Sequence, residues 1–374
     1  MKKFHKMTAL IAAALATVTL AGCTGGCSSC GGAKVSNNAL TNSNWYTQTG
    51  YKGIQPYFID GQENSNFSKE IITYDVTADS KNNGTYKVEY QNGTYRTEFY
   101  ALEYNWETDS RVHESYRTEK TDIVYCYKTE FSIDGKFIMG DNTKEFSDSI
   151  VTESYFRAAY YSLKPVYSKQ VMKVTSPDSL RPANIDAAYK SYDVVYENKY
   201  NYECTEVVSA KTENNETVAT TYKKLNKTSN TLFDNSSLYT AIRSMKLSDS
   251  LSQTINLFNA QAGGISTIKL SGNGAAIEKE ELAKISTALA AKDLYTPEGN
   301  DIEDKGISTV AVNIAFSGGE LSGTTQTVWY AALNDADNNT ARCTMLKLSV
   351  PLPFGLGTLN YSLKEVQSTI WNGK

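Results

Sequence analysis

The sequence is poor in the groups that most enzyme chemistry needs. Two histidines occur among 374 residues, His5 and His113, and His5 falls in the export segment described below. One remaining imidazole excludes an H-E-x-x-H zinc site, and any Ser-His-Asp arrangement would have to use His113. There is no G-x-S-x-G elbow, no P-loop and no G-x-G-x-x-G. Gly263-Gly264 and Gly318-Gly319 follow no phosphate-cradling spacing and read as turns. Basic blocks are missing too: with a net charge of −4, nucleic acid and anionic lipid are poor candidates for the main partner. No apolar run beyond residue 20 approaches the ~20 residues that a membrane-spanning helix needs. Carboxylates are plentiful, 41 in all, but no pair is set apart by its surroundings as glycoside hydrolysis would require. Asp335, Asp337 and Asn339 have the opening spacing of a calcium loop. Thr340 and Leu346 stand where that loop needs glycine and glutamate, so a polar turn is the better reading. The expectation is a protein that is not an enzyme, with no metal and no cofactor.

What is present begins with MKKFHKMTALIAAALATVTLAGC. Lys2, Lys3 and Lys6 precede an uncharged run from Ala9 to Leu20, the order of a signal peptide over residues 1–22. Leu20-Ala21-Gly22-Cys23 resembles the bacterial lipobox, which implies cleavage before Cys23 and a diacylglycerol on its thiol. Two acyl chains anchor stably where one is marginal. Residues 23–44 are rich in glycine, serine, asparagine and threonine and have little to bury, so they read as a flexible tether spanning roughly 25 Å. The expected location is the extracytoplasmic face of a cell membrane, held by lipid. With Cys23 so used, Cys27, Cys30, Cys126, Cys204 and Cys343 remain, an odd number that cannot all pair internally. Cys27 and Cys30 form a C-x-x-C inside the tether, which suits a small disulfide loop or free thiols better than redox or zinc chemistry.

The region 45–374 is dominated by alternation of period two. Tyr86, Val88 and Tyr90 share a face; from Tyr95 the phase shifts, with Tyr95, Thr97 and Phe99 on one face and then Tyr100, Leu102, Tyr104 and Trp106 on the other, and such a mid-strand flip predicts a bulge. Ile123 to Phe131 alternates in the same way. From Tyr192 to Cys204 one face is largely aromatic and the other largely charged, the pattern of a long antiparallel strand. Asn82-Asn83-Gly84, Gln91-Asn92-Gly93 and Asp134-Gly135 read as hairpin turns. Helical spacing appears at Ser236–Met245 and Ile277–Ala291, and four more strands are expected near 307–316, 326–333, 341–350 and 357–366. No βαβ rhythm occurs. These patterns predict a mainly β fold: a curved antiparallel sheet, an incomplete barrel or a β-sandwich, with two short helices. The only break that suggests two parts, 45–180 and 185–374, is the short stretch Thr175–Asn184.

Thr231 to Leu247 reads TLFDNSSLYTAIRSMKL, followed far downstream by Thr327-Val328-Trp329-Tyr330-Ala331, Asn339-Thr340-Ala341-Arg342 and LKLSVPLPFGLGTLNYSLKEV. This order resembles the exported bacterial domain DUF3108. Asp234, Ser237 and Arg243 keep its helix spacing, with Tyr239 one position early, and Trp329, Arg342, Gly355 and Gly357 stand at comparable places. The resemblance implies a curved antiparallel sheet, broadly similar to the incomplete barrels of lipoprotein carriers, and brings no catalytic residues. Two functions follow as expectations. One is a binding module whose aromatic face, Tyr192 to Tyr202, cups a lipid or other hydrophobic envelope ligand. The other is a surface protein that meets protein or glycan partners.

Overall fold

The structure, a computed structural model, describes residues 67–371 except 105–108, 117–121, 160–161, 177–182, 189, 224–231, 244, 246, 262–263, 291–306, 318–324, 332–343 and 353–354. Its strands are β1 (Phe67–Ser80), β2 (Lys87–Tyr104), β3 (Asp122–Met139), β4 (Asn142–Ala159), β5 (Ser162–Ser176), β6 (Lys190–Tyr200), β7 (Glu206–Glu213) and β8 (Glu216–Lys223). They continue with β9 (Leu232–Asp234), β10 (Ser252–Asn259), β11 (Gly264–Gly272), β12 (Thr309–Ser317), β13 (Thr325–Ala331), β14 (Met345–Pro351) and β15 (Gly357–Trp371). Three helices are described: α1 (Ile185–Ala188), α2 (Leu238–Arg243) and α3 (Lys279–Ala290).

The strands make one sheet in the order β8-β7-β6-β5-β4-β3-β2-β1-β15-β14-β13-β12-β11-β10-β9. Every neighbouring pair is antiparallel except β9 with β10. The sheet is mainly β and not closed, as its alternating sequence predicts, and its pairing continues without a break from β5 to β6 on either side of 177–182. Strand twist curls so long a sheet until its ends meet. Here the ends overlap. β9 lies against β5 on the inner face. Phe258, on the outer face of β10, packs edge-on against Tyr200 of β6 and Tyr222 of β8. The result is a scroll: the β9–β10 end is inside and the β6–β8 end covers it.

Register explains the two faces. Val312, Val328, Leu348, Tyr361 and Val76 follow one another across five strands, and all are buried. The opposite face carries ion pairs such as Lys69–Glu98, Arg96–Glu98 and Lys128–Glu153. Stacked rings tie neighbouring strands on the inner face, with Phe99, Tyr125 and Phe156 at centroid spacings of 5.8 Å.

Two of the expected hairpin turns lie inside strands. Asn82–Gly84 does join β1 to β2, with Asn83 Oδ1 accepting from the N–H groups of Thr85 and Tyr86. Gln91-Asn92-Gly93 is instead a bulge within β2: Asn92 and Gly93 together oppose Ile133, and Asn92 takes a φ of 54°. No bulge accompanies the flip from Phe99 to Tyr100: the ladder with β3 runs unbroken from Thr94 to Tyr104, and Tyr100 is buried in a separate patch on the outer face. A Cβ on Gly93 would sit 2.6 Å from the Val76 carbonyl oxygen, so the close approach requires glycine. Asp134-Gly135 lies in the middle of β3, between Tyr90 and Phe146 on the adjacent strands. A Cβ there would meet the Phe146 ring at 2.4 Å; glycine marks a place where neighbouring rings cover the backbone. The Tyr192–Cys204 strand is also shorter than its alternation suggests. β6 ends at Tyr200, and Cys204 has a φ of 55° in the turn to β7. Asn201 Oδ1 holds that turn by accepting from the N–H groups of Thr205 and Glu206.

Candidate functional site

The inner face of the scroll is the concavity that the sequence offered as a ligand cup, and the chain's own elements occupy it. All six residues of α2 are buried, which is the environment of a helix enclosed by sheet rather than laid on it. The Tyr239 hydroxyl donates to Gln326 Oε1 of β13 at 2.9 Å, and the Tyr330 hydroxyl donates to the Tyr239 carbonyl at 2.9 Å. Arg243, at the end of α2, forms a two-pronged ion pair with Glu70 of β1, at 2.5 and 2.9 Å. It also donates to Thr344 Oγ1 at 3.3 Å. Both charged side chains are almost wholly buried, so each makes the other's burial tolerable. The hollow beside them, lined by Thr97, Tyr127, Thr240 and Tyr330 among others, measures about 20 Å³, room for one water.

A second polar node fastens the overlap. Asp234 caps the 3-10 turn that leads into α2, accepting the Ser236 N–H at 2.8 Å. Its other oxygen accepts from Ser168 of β5 at 2.7 Å and from the Tyr200 hydroxyl. Asn198 of β6 donates to the Ser168 hydroxyl at 2.9 Å. Burial, with Asp234 adding to it, holds the Tyr200 hydroxyl well above the usual phenol range, so it remains a donor. Asp234, Arg243 and Trp329 thus have architectural roles here: Asp234 closes the scroll, Arg243 anchors α2, and the Trp329 indole donates to the Ala275 carbonyl at 2.9 Å. Glu70, Ser168 and Asn198 complete these nodes from distant strands, and nothing in the local sequence marks them out.

Tyr196 and Tyr200 are buried, and Tyr192 is half-buried on the same face. Tyr202 belongs to the turn and faces outward instead. Its ring lies 3.8 Å below the Arg157 guanidinium, which donates to the Tyr202 carbonyl at 2.8 Å. Arg157 also stands over Tyr116, within an outer patch that includes Tyr100, Cys126, Tyr155 and Tyr167 and is roofed by residues 109–116.

His113 sits in that roof. Its Nδ1 lies 3.0 Å from Ser115 Oγ and accepts the Ser115 N–H at 3.1 Å. Ser115 Oγ in turn accepts the Tyr202 N–H at 2.9 Å. Glu206 stands 3.7 Å from Nε2, beyond hydrogen-bond length. Serine and carboxylate thus flank the one histidine. The serine oxygen, however, is held by a backbone donor, and the arrangement fastens the roof to the β6–β7 turn.

Neither Cys126 nor Cys204 is an activated nucleophile. Burial pushes the Cys126 thiol up to about 12 and the Cys204 thiol up to about 11, which keeps both protonated. One displaced acid stands apart from both nodes. Asp148 of β4 points into the interior with its carboxyl raised to about 8 by burial. Among the described residues no three metal-ligating side chains converge. An open groove of about 500 Å³ runs between α3 and the outer face of β1 and β15, lined by Asp75, Glu278, Glu280, Glu281, Lys284 and Lys364. Its charges are partly paired, Lys364 with Asp75 and Lys347 with Glu281. Cys23, Cys27, Cys30, Asp335, Asp337, Asn339, Arg342 and Cys343 lie outside the described residues.

No family model matches the chain. No curated protein matches it either. Among solved structures, the chain is similar to the β-barrel-like protein of domain of unknown function DUF1849 from Brucella abortus. The two share 11% identity at a TM-score of 0.42, over 81% of this chain and 98% of that one.

Proposed function

We propose that this chain is an extracytoplasmic protein held at a membrane by lipid on Cys23, and that it binds a protein partner on the outside of its sheet. The observation that carries this reading is the filled inner face. α2, β9 and the buried rings of Tyr196, Tyr200, Tyr239 and Tyr330 occupy the concavity. The other reading, a lipid or similar hydrophobic ligand inside the scroll, requires α2 and β9 to leave. That would break the Glu70–Arg243 pair and the Asp234 node together. Glycan binding needs open ring faces, and the rings of Tyr100, Tyr155 and Tyr167 are covered.

Photo-crosslinking in the native membrane tests the reading, with a benzophenone amino acid at Val151 or Ile265, which are exposed, or at Tyr196, which is not. Protein adducts are expected from the two outer positions and none from Tyr196. A lipid adduct at Tyr196 would overturn the outer-surface reading in favour of the carrier. A fatty-acid label should mark the wild type and leave Cys23→Ser unmarked; equal labelling would remove the anchor from the proposal.

A further inference from the structure

The two ends of the sheet are treated differently. β9 is three residues long and is enclosed by the overlap. β8 runs for eight residues at the other end, and every one except Tyr222 is exposed. Open edges usually carry a proline, a bulge or a charge in mid-strand, because bare N–H and C=O groups recruit other strands. β8 has none of these devices. Between Glu216 and Lys223 it reads Thr-Val-Ala-Thr-Thr-Tyr, and its register with β7 is unbroken.

The hairpin fixes which groups point outward. Asn214 and Asn215 have φ of 52° and 62°, the two positive values of a two-residue type I′ turn. In such a hairpin the flanking residues, Glu213 and Glu216, form a hydrogen-bonded pair, and the ladder alternates from there. Val218, Thr220 and Tyr222 therefore direct their backbone groups to β7. Thr217, Ala219, Thr221 and Lys223 direct theirs away from it. The 2.8 Å contact between the Thr212 and Thr217 hydroxyls fits the closer, non-hydrogen-bonded kind of pair.

We infer that two copies of this chain join through β8, antiparallel, about a two-fold axis at Ala219. Outward-directed residues must oppose outward-directed residues, so odd positions face odd positions. With Ala219 opposite itself, Thr217 faces the second copy's Thr221, and Val218 faces Thr220, a β-branched side chain of nearly the same shape. At each end Glu216 faces the second copy's Tyr222, whose hydroxyl can donate to the carboxylate. No like charges meet. The near-palindrome is what favours a second copy over a foreign strand. Because β9 is enclosed, pairing the two β8 edges leaves no open edge among the described strands, and assembly stops at a dimer. This inference is independent of the lipid anchor and of the partner proposed above.

The test is sedimentation velocity of the full chain in detergent, from about 1 to about 100 µM, a range suited to a contact smaller than permanent interfaces. The wild type should move to twice the monomer mass as concentration rises. Ala219→Lys places two ammonium groups at the axis, and Thr221→Pro removes an outward N–H without touching the β7 ladder. Both variants should remain monomeric at every concentration, with wild-type melting curves. Ala219→Cys should form an interchain disulfide on oxidation that Thr221→Cys does not, since only position 219 meets itself. A wild type that is monomeric at 100 µM, or a dimer that survives Ala219→Lys and Thr221→Pro, would overturn the inference. If either variant melts abnormally, the cysteine pair decides, and equal cross-linking at 219 and 221 rejects the register.

Discussion

Asp148 makes the stability of this protein depend on pH in a direction opposite to that of most carboxylates. The side chain lies on the inner face of β4, opposite Ile133 of β3 and one residue beyond the Ser149–Lys173 pair with β5, and is 1% exposed. Its Oδ1 accepts the Thr175 N–H at 2.8 Å, and its Oδ2 has no hydrogen-bond partner among the described residues. The backbone and side chain of Thr175 both favour the carboxylate but do not offset desolvation, so the carboxyl keeps its proton up to about pH 8 in the folded protein. In the unfolded chain it loses that proton near the ordinary value of 3.8. Between those values the folded state binds one more proton than the unfolded state, so stability falls as pH rises and levels off above about 8. Each pH unit is worth about 1.4 kcal/mol, so Asp148 alone removes about 4 kcal/mol between pH 5 and pH 8. Asp148→Asn keeps the shape and the acceptor for Thr175 and cannot ionise. Urea unfolding at half-unit intervals from pH 5 to 9 should show the stability difference between the two proteins moving in the variant's favour with rising pH, by about 4 kcal/mol between pH 5 and pH 8. Their difference isolates Asp148 from every other titrating group. A difference that is flat across this range would refute the assignment of a buried, protonated carboxyl.

Two further outcomes follow from the interior. Arg243→Met strands the Glu70 carboxylate in the core and should cost about 3–5 kcal/mol in denaturant unfolding. The double change Glu70→Leu with Arg243→Met should recover most of that loss, because no buried charge remains. Losses that simply add would show the pair to be uncoupled. Tyr200→Ala empties a site enclosed by Phe258 and Val207 and releases one donor to Asp234, so a loss of about 3–5 kcal/mol is expected. A loss near 1 kcal/mol, with binding of a fluorescent fatty acid by the wild type, would instead mean that the ring lines a ligand cup.

Sequence alone determined the strand-dominated character, both longer helices and the last four strands. These depend on local periodicity, which each segment carries within itself. Two glycine-bearing stretches with the local pattern of turns lie inside strands for the same reason. Gly93 and Gly135 look like turn residues until the strands beside them are known, and only the approach of Val76 and Phe146 shows why glycine stands there. The aromatic face of β6 was legible as a face; whether water, ligand or protein lay against it was not. That depended on the far end of the sheet, β9 and β10, returning to cover it. Tertiary structure decided the polar nodes as well. Glu70 meets Arg243 and Ser168 meets Asp234 because a fifteen-stranded sheet curls past closure, and partners so far apart in sequence leave no periodic trace in either segment.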